Sequence, residues 1–331
     1  MKLNRRHFNL ALGGGAALAA LPSLPALAQA AQVAQPKIYY GFPAGSAGDS
    51  LARRVADKLG GTPYAQSNAV VENKPGAGGR IVLETLKTSP ADGSVLTLAQ
   101  ASALTIYPHV YTKMNYTMAD FAPISIGAQM VFALAIGPMV PDNVKTLKDF
   151  IVWAKANPEK SSFGSPGAGS MPHFVGSLFG VNAGITFQHV PFRGSLPAVN
   201  DTVGGQIAAC VTPTGDSLAH AKSGRLRILA VSAPKRVAEP DAPTFTELGY
   251  PEIVAEEWFG FFAPAKTPSN VINAANTAIQ AALKDKAVID GLAAIGLVAA
   301  GSTPQAMRAS LESEYQRWAP LVKKVGFTAE S

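Results

Sequence analysis

The sequence predicts an α/β protein with largely parallel sheets arranged in two units that face one cleft. Short β-type runs alternate with amphipathic helical runs along the mature chain, which is the pattern of parallel strands joined by helices. A glycine-rich turn between a strand and a helix occurs twice, at residues 41–48 and 164–170. The chain has 331 residues, of which 47% are hydrophobic, so it can build a sizeable core.

The N-terminal segment predicts an export signal. Arg5-Arg6 forms a twin-arginine pattern, and an apolar stretch at 10–21 follows it. The alternative is a membrane anchor, but the stretch is shorter than the ~20 residues that a span needs. The segment holds no cysteine for a lipid anchor. We therefore expect residues 1–30 to be a cleaved twin-arginine signal peptide and the mature protein to lie in the periplasm. Two small-x-small motifs place the mature start at Ala31 or Gln29.

The first half of the mature chain predicts two strand–helix units and a long buried strand. Leu51, Val55 and Leu59 lie at i, i+4 and i+8 and predict the first helix. The apolar run at 124–140 is interrupted by Pro138, which favours a buried strand over a membrane helix. The predicted elements in order are strand 37–42, helix 51–59, strand 69–72, helix 81–88, strand 94–99 and strand 132–136.

The second half predicts further strand–helix alternation. A capping box at 146–149 opens a helix that Pro158 ends. Thr267 and Thr303 each precede a proline and predict N-caps of two C-terminal helices. The remaining predicted elements are strand 162–165, helix 172–181, strand 187–190, helix 196–203, strands 206–211 and 228–231, and helices that end near 284 and 324.

The composition and motifs exclude several classes of function. Residues 1–30 hold three of the 28 basic residues and no acidic one, so the formal net charge of the remaining chain is only +3. This charge is too small to indicate nucleic-acid binding, and no run of basic residues could follow a phosphate backbone. Pro172 stands where a dinucleotide motif needs its third glycine, so we expect no nucleotide cofactor. The glycine-rich run 164–170 remains either a plain turn or an anion-binding nest of helix N-terminal amides.

The sequence gives little support for a catalytic site or a metal site. Ser46 lies in a turn that imitates a nucleophile elbow, but Ala44 replaces the usual glycine. A serine hydrolase using Ser46 is the least supported alternative. The histidines show no ligand spacing and Cys210 is the single cysteine, so we expect no metal site and no catalytic residues.

Several motifs together resemble a known family. They follow one another in order from residue 37 to the C-terminus, and the run at 72–79 is the most specific. The motifs are Phe42-Pro43-Ala44-Gly45, Glu72-Asn73-Lys74-Pro75-Gly76-Ala77-Gly78-Gly79, Gly164 to Ser170 with His173, Val190-Pro191-Phe192-Arg193-Gly194-Ser195, Gly224-Arg225-Leu226-Arg227, and Trp258 with Ala263-Pro264. The chain is similar to the Bug family, the periplasmic substrate-binding proteins of tripartite tricarboxylate transporters.

The resemblance implies a fold of the periplasmic binding protein type II kind. Two α/β domains would be joined by two crossover strands, with the ligand cleft between them. Domain 1 would comprise 36–137 and 256–331, and domain 2 would comprise 138–255, with crossings near Gly137 and Ala255.

The resemblance also implies a ligand site built from backbone amides and water rather than from an arginine clamp. Thr212 departs from the aspartate usual in the family, which leaves the ligand's identity open. The implied site residues are Phe42, Ala44, Asp49, Ala101, Ser102, Gly169, Ser170, His173, Phe192, Gly194, Ser195 and Thr212.

The function that follows is capture of a small organic carboxylate and its delivery to the membrane subunits of a tripartite transporter. A periplasmic ligand sensor for a membrane signalling partner is the alternative that the sequence does not separate from it. The ligand class stays open among dicarboxylates, tricarboxylates, amino acids, aromatic acids and amides. We expect a monomer that binds no cofactor and no nucleic acid.

Overall fold

The computed structural model describes residues 32–237 and 239–329, and the signal segment and its cleavage sites lie outside them. The chain is α/β, as the sequence predicts. Its N-terminal part alternates strands and helices in this order: β1 (Lys37–Tyr40), α1 (Ala47–Ala56), β2 (Val70–Asn73), α2 (Arg80–Lys87), β3 (Val95–Gln100), α3 (Ser102–Thr105), α4 (Tyr107–Val110) and β4 (Phe121–Ile136).

The middle of the chain continues the alternation. Its elements are α5 (Leu147–Ala156), β5 (Ser162–Ser165), α6 (Met171–Ala183), β6 (Gln188–Pro191), α7 (Ser195–Val203), β7 (Ala209–Pro213), α8 (Thr214–Lys222) and β8 (Arg227–Val231). The C-terminal part consists of β9 (Glu256–Pro264), α9 (Ser269–Lys284), α10 (Lys286–Ala293), β10 (Val298–Ala299) and α11 (Pro304–Val325).

The described strands form one mixed sheet in the order β2-β1-β3-β9-β4-β7-β5-β6, with β8 and β10 also paired to β4. Strands β1, β2 and β3 pair in parallel, and so do β5, β6 and β7. Around β4 and β9 all pairs are antiparallel. The sheet is therefore parallel within each half and antiparallel where the halves join. It contains more antiparallel strand pairs than the sequence predicts.

Strand β4 belongs to both halves of the sheet. Residues up to Val131 pair with β9, and residues from Phe132 onward pair with β7. The chain returns beside this point, because the Ala255 amide donates to Ser232 and Glu256 opposite Val131 begins β9. These two adjacent passages lie at 131–132 and 255–256. The division of the chain into domains stays a prediction.

Local capping confirms several predicted helix starts. The Thr146 and Asp149 pair forms a complete capping box, and the Thr303 hydroxyl accepts from the Ala306 amide at 3.1 Å. Thr267 is different, since α9 begins one residue later and Pro268 occupies its N-cap position.

Strand β9 is absent from the sequence-based assignment, although it is central to the core. It lies between β3 and β4, and its phenylalanines are almost fully buried. Helices α9 and α11 pack against β4, and Trp318 of α11 is 1% exposed. This packing fixes the sheet whose strand ends carry the site. No helix in the described part of the chain combines the length and apolar character that a membrane crossing needs.

Candidate functional site

A cavity of about 260 Å³ opens where loops from both halves of the sheet meet. Its size suits a small molecule, being just below the usual 300–1,000 Å³ of ligand pockets. Apolar rings and a few polar side chains form its wall. The lining residues are Tyr40, Phe42, Pro43, Ser46, Ala47, Gly48, Gln100, Pro166, Arg193, Gly194, Ser195, Leu196, Pro197, Asn200, Pro213, Asp216 and Phe259.

The first wall is the loop between β1 and α1. Tyr40 at the end of β1 is 2% exposed, and burial raises the pKa of its hydroxyl well above the usual value. Gly48 lies directly against it, because a Cβ added there would be 2.2 Å from the Tyr40 oxygen. The loop itself turns through Gly45, whose φ of +84° favours glycine.

Asp49 holds this loop in place from behind. Its carboxylate accepts from the Gly45 amide at 2.9 Å, from Arg53 Nε at 3.0 Å and from Asn73 Nδ2 at 2.8 Å. Asn73 Nδ2 also donates to the Phe42 carbonyl at 3.0 Å. Burial alone would raise the pKa of Asp49, but the hydrogen bonds from Arg53, Gly45 and Asn73 outweigh it and hold the pKa below its usual value.

The opposite wall is the loop between β6 and α7. Gly194 has a φ of +117°, and its amide donates to the Pro166 carbonyl at 3.2 Å. A Cβ added to Gly194 would lie 3.9 Å from Pro43 Cδ, so the two loops nearly touch. Ser195 follows as the first residue of α7 and faces the cavity.

The third wall is the start of α8. Asp216 lies in its first turn, and its Oδ2 accepts from the Ser195 hydroxyl at 2.5 Å. Burial raises the pKa of Asp216 to about 6, although the Ser195 hydrogen bond lowers it. This bond ties the starts of α7 and α8 together at the cavity.

Three helices therefore begin at one small space. The N-cap residues of α1, α7 and α8 are Ser46, Gly194 and Pro213, and none of them makes a side-chain capping hydrogen bond. First-turn amides left without caps are donors for an anion. Each helix end favours a nearby negative charge by roughly 0.3–1 kcal/mol. The arrangement can hold a small anion without proton-transfer chemistry.

The structure brings a part of the sequence-predicted set to this cavity. Phe42, Gly194 and Ser195 line it directly. Phe192 lines an adjoining cavity of about 600 Å³ that shares Phe42, Arg193 and Gly194 with the first. Ala44 lies exposed beside the lining residues, and Asp49 supports the loop without lining the first cavity.

Gly169, Ser170 and His173 line neither cavity, although Pro166, Gly167 and Ala168 of the same run line the second one. The Ser170 hydroxyl caps α6 at the His173 amide, and the Gly169 amide donates to His173 Nδ1 at 3.1 Å. A Cβ added to Gly169 would lie 3.0 Å from Val110, and the Tyr111 hydroxyl donates to the Ala168 carbonyl at 2.9 Å. The Gly169 and Ser170 amides are thus used within this segment, the second of them on the Gly167 carbonyl at 3.3 Å, and the loop also contacts α4.

Three further predicted residues lie behind the cavity wall. Ala101 and Ser102 are 0% and 1% exposed, and the Ser102 amide donates to Glu257 at 2.9 Å, whereas Gln100 just before them lines the cavity. Thr212 is fully buried and hydrogen-bonded to Ser217 at 2.9 Å. Each of these residues is at or near a strand end at the cavity, but it is a neighbouring residue whose side chain lines the cavity.

Asp216, Arg193, Tyr40 and Gln100 are lining residues that the sequence analysis did not select. Arg193 stands inside a quoted motif, next to Gly194, and an arginine beside a glycine-rich helix start is a signal that could have pointed to it. Tyr40 and Gln100 end strands β1 and β3 of the structure, within two residues of the predicted strand ends, where ligand sites of α/β sheets gather. For Asp216 the sequence carries no comparable signal.

The geometry around Ser46 does not support a role as a catalytic nucleophile. The Ser46 hydroxyl donates to the Pro43 carbonyl at 2.9 Å, and no histidine is among the residues that line the cavity. His173 and His189 stack with centroids 3.9 Å apart in the buried interior, and burial lowers the pKa of each, to about 3 and about 4. Among the described residues, no three His, Cys, Asp or Glu side chains form a group that could hold a metal ion.

Comparison with known proteins gives a consistent result. The model of the receptors of the tripartite tricarboxylate transporter family matches residues 51–327. Protein BugT of Bordetella pertussis is 35% identical over 295 residues, which cover 86% of this chain and 87% of BugT.

Two solved structures share the fold. The periplasmic binding protein BugD superposes with a TM-score of 0.82 and 28% identity, covering 89% of this chain and 98% of BugD. The R. palustris protein Rpa4515, solved with adipate, gives the same TM-score, identity and coverages.

Proposed function

The chain belongs to the receptor family of tripartite tricarboxylate transporters, and from that premise we propose that it captures a small organic carboxylate in the cavity described above and delivers it to the transporter's membrane subunits. Family membership already makes it a periplasmic ligand-binding receptor of the Bug type. The proposal adds the ligand class and its place of binding. The solved relative with adipate supports a carboxylate.

One observation carries the proposal, namely that the starts of α1, α7 and α8 meet at the cavity without side-chain caps. Free first-turn amides select a group with several acceptor lone pairs and negative charge, as a carboxylate has. Apolar rings around them lower the local dielectric and strengthen such contacts. Arg193, which also lines the cavity, adds a positive charge.

Binding is tested by thermal unfolding of the mature protein with adipate and with adipamide. The diamide has the same length and no charge, so it is a matched control for the anion argument. At a ligand concentration of 100 Kd, a bound carboxylate should stabilise the fold by about 2.7 kcal/mol. Stabilisation by adipamide alone, or by no member of a panel of small carboxylates, would contradict the proposal.

We also propose that closure of two lobes accompanies binding. The strand pairing supports a boundary of the lobes slightly before the predicted crossing near Gly137: residues up to Val131 with 256–331 would form one lobe and 132–255 the other. The chain passes between them at 131–132 within β4 and at 255–256 before β9. Cavity residues come from both sides, so a ligand that touches both favours the closed form. Small-angle scattering should show a smaller radius of gyration at saturation, and an unchanged value would refute closure.

Delivery is a separate step with its own test. Cells that lack this chain should lose uptake of the radiolabelled carboxylate and regain it with the wild-type protein. If deletion of this chain leaves uptake intact but abolishes induction of a ligand-responsive gene, the protein acts as a sensor instead.

A further inference from the structure

Asp216 is an unusual side chain for a site that attracts anions. It lines the cavity at the start of α8, and its carboxyl group has one hydrogen-bond partner, the Ser195 hydroxyl. No ion pair within 4.0 Å joins Asp216 to a basic side chain in the described chain. Arg193 lines the same cavity without pairing with it. The cavity thus carries one positive and one negative side chain that do not neutralise each other.

The charged form of Asp216 would be stabilised by a cation from a ligand, and its neutral form needs a bound proton. Burial of its carboxyl group raises the pKa to about 6, because the Ser195 hydrogen bond offsets the loss of hydration only in part and no basic side chain pairs with the charged form. A ligand with a second carboxylate at this position would place two negative charges together in a poorly hydrated space. A ligand ammonium there would supply the missing counter-charge and three donors.

The rings beside this carboxyl group suit the same chemistry. Tyr40, Phe42 and Phe259 line the cavity, with Tyr40 5.7 Å from the Phe42 ring centre and 6.3 Å from that of Phe259. Aromatic faces attract cations and repel anions. The cavity therefore combines helix starts and Arg193, which favour a carboxylate, with the Asp216 carboxyl group and aromatic rings, which favour a positive group.

We propose, on the basis of the proposed function, that Asp216 is the specificity-determining residue and that the ligand is a zwitterion carrying an ammonium group together with its carboxylate. Ser195 then positions the Asp216 carboxylate through their hydrogen bond. The opposite view is that Asp216 only anchors the start of α7 and that its charge is irrelevant to the ligand.

Isothermal titration at pH 7.5 with matched probe pairs separates these views. Each pair differs by a single ammonium group: succinate with aspartate, and adipate with 2-aminoadipate. The wild-type protein should bind at least one amino-substituted member about tenfold or more tightly than its unsubstituted partner. Tighter binding of both unsubstituted partners by the wild type would overturn the inference without touching the proposed function, whereas failure of every carboxylate to bind would count against that function itself.

Asp216→Asn is the decisive variant because it keeps the shape and an acceptor for the Ser195 hydroxyl but removes the charge. The preference for the amino-substituted probe should fall to threefold or less. Ser195→Ala keeps the charge and removes the hydrogen bond, so it should retain most of the preference while weakening both probes alike. A preference that survives in Asp216→Asn would refute the role of Asp216, and if that variant fails to fold, the wild-type ratio still decides the ligand class.

Discussion

Replacing Asp49 by asparagine should destabilise the protein and loosen the loop that forms the first cavity wall. The carboxylate accepts three hydrogen bonds, from the Gly45 amide, Arg53 and Asn73. An asparagine has one acceptor oxygen and one NH₂ group in their place, so at least one donor would face another donor.

The magnitude follows from these contacts. Leaving one of these partly buried donors without its acceptor costs about 1–3 kcal/mol. Loss of the charge on the pair with Arg53 adds only about 0–1 kcal/mol, because the Arg53 side chain is 48% exposed and screened by water. We expect the free energy of unfolding to fall by about 2–3 kcal/mol, and carboxylate affinity to fall roughly tenfold as the loop loses order, a factor that corresponds to about 1.4 kcal/mol.

Urea unfolding of Asp49→Asn at pH 7 is the assay, and Asp57→Asn is the matched control. Asp57 lies exposed at the C-terminal end of the same helix, where a negative charge opposes the dipole. The control should be neutral or slightly stabilising. Since the hydrogen bonds hold the pKa of Asp49 below its usual value, its stabilising contribution should be present near neutrality and vanish as the pH falls below about 4. Equal midpoints for Asp49→Asn and wild type at pH 7 would refute this reasoning.

Three other perturbations give clear outcomes. Lysine in place of Arg5-Arg6 should leave unprocessed precursor in the cytoplasm, and normal export on an immunoblot of cell fractions would contradict the twin-arginine assignment. Gly48→Ala should push the buried tyrosine beside it and weaken carboxylate binding more than tenfold in calorimetry, whereas Gly167→Ala, whose added Cβ meets nothing within 4 Å, should bind normally. Burial raises the pKa of Asp216 to about 6, so between pH 4 and 6 the unliganded folded protein binds more protons than the unfolded one. Its stability should fall as the pH rises through that window, by up to about 3 kcal/mol relative to Asp216→Asn, and parallel pH profiles of the two proteins would rule this out.

Features encoded within a few neighbouring residues could be predicted from the sequence. The capping residues Thr146 and Thr303, and the turn after β1, depend on contacts three or four positions apart, and the structure confirms them. Strand β9 could not be placed in this way, since its acidic start and its apolar continuation become a strand only by pairing with β3 and β4 from distant parts of the chain.

The candidate site shows the same division. Phe42, Gly194 and Ser195 lie at glycine-containing strand-to-helix turns, which local sequence reveals. The turn at 164–170 carries the same signal, yet its Gly169 amide donates to His173 Nδ1 and its Ser170 hydroxyl accepts from the His173 amide, which only the folded geometry shows. Asp216 follows Pro213, Thr214 and Gly215 at the start of a short helix. A single glycine is not a glycine-rich turn, so nothing local marks Asp216 as part of the cavity.

A crystal structure of the mature protein saturated with its tightest-binding carboxylate tests the central claim most directly. The account predicts that the ligand lies in the cavity between Phe42 and Ser195, with its carboxylate on the first-turn amides of α1 or α7. A ligand bound instead in the groove between 104–119 and α11, with this cavity empty, would contradict it.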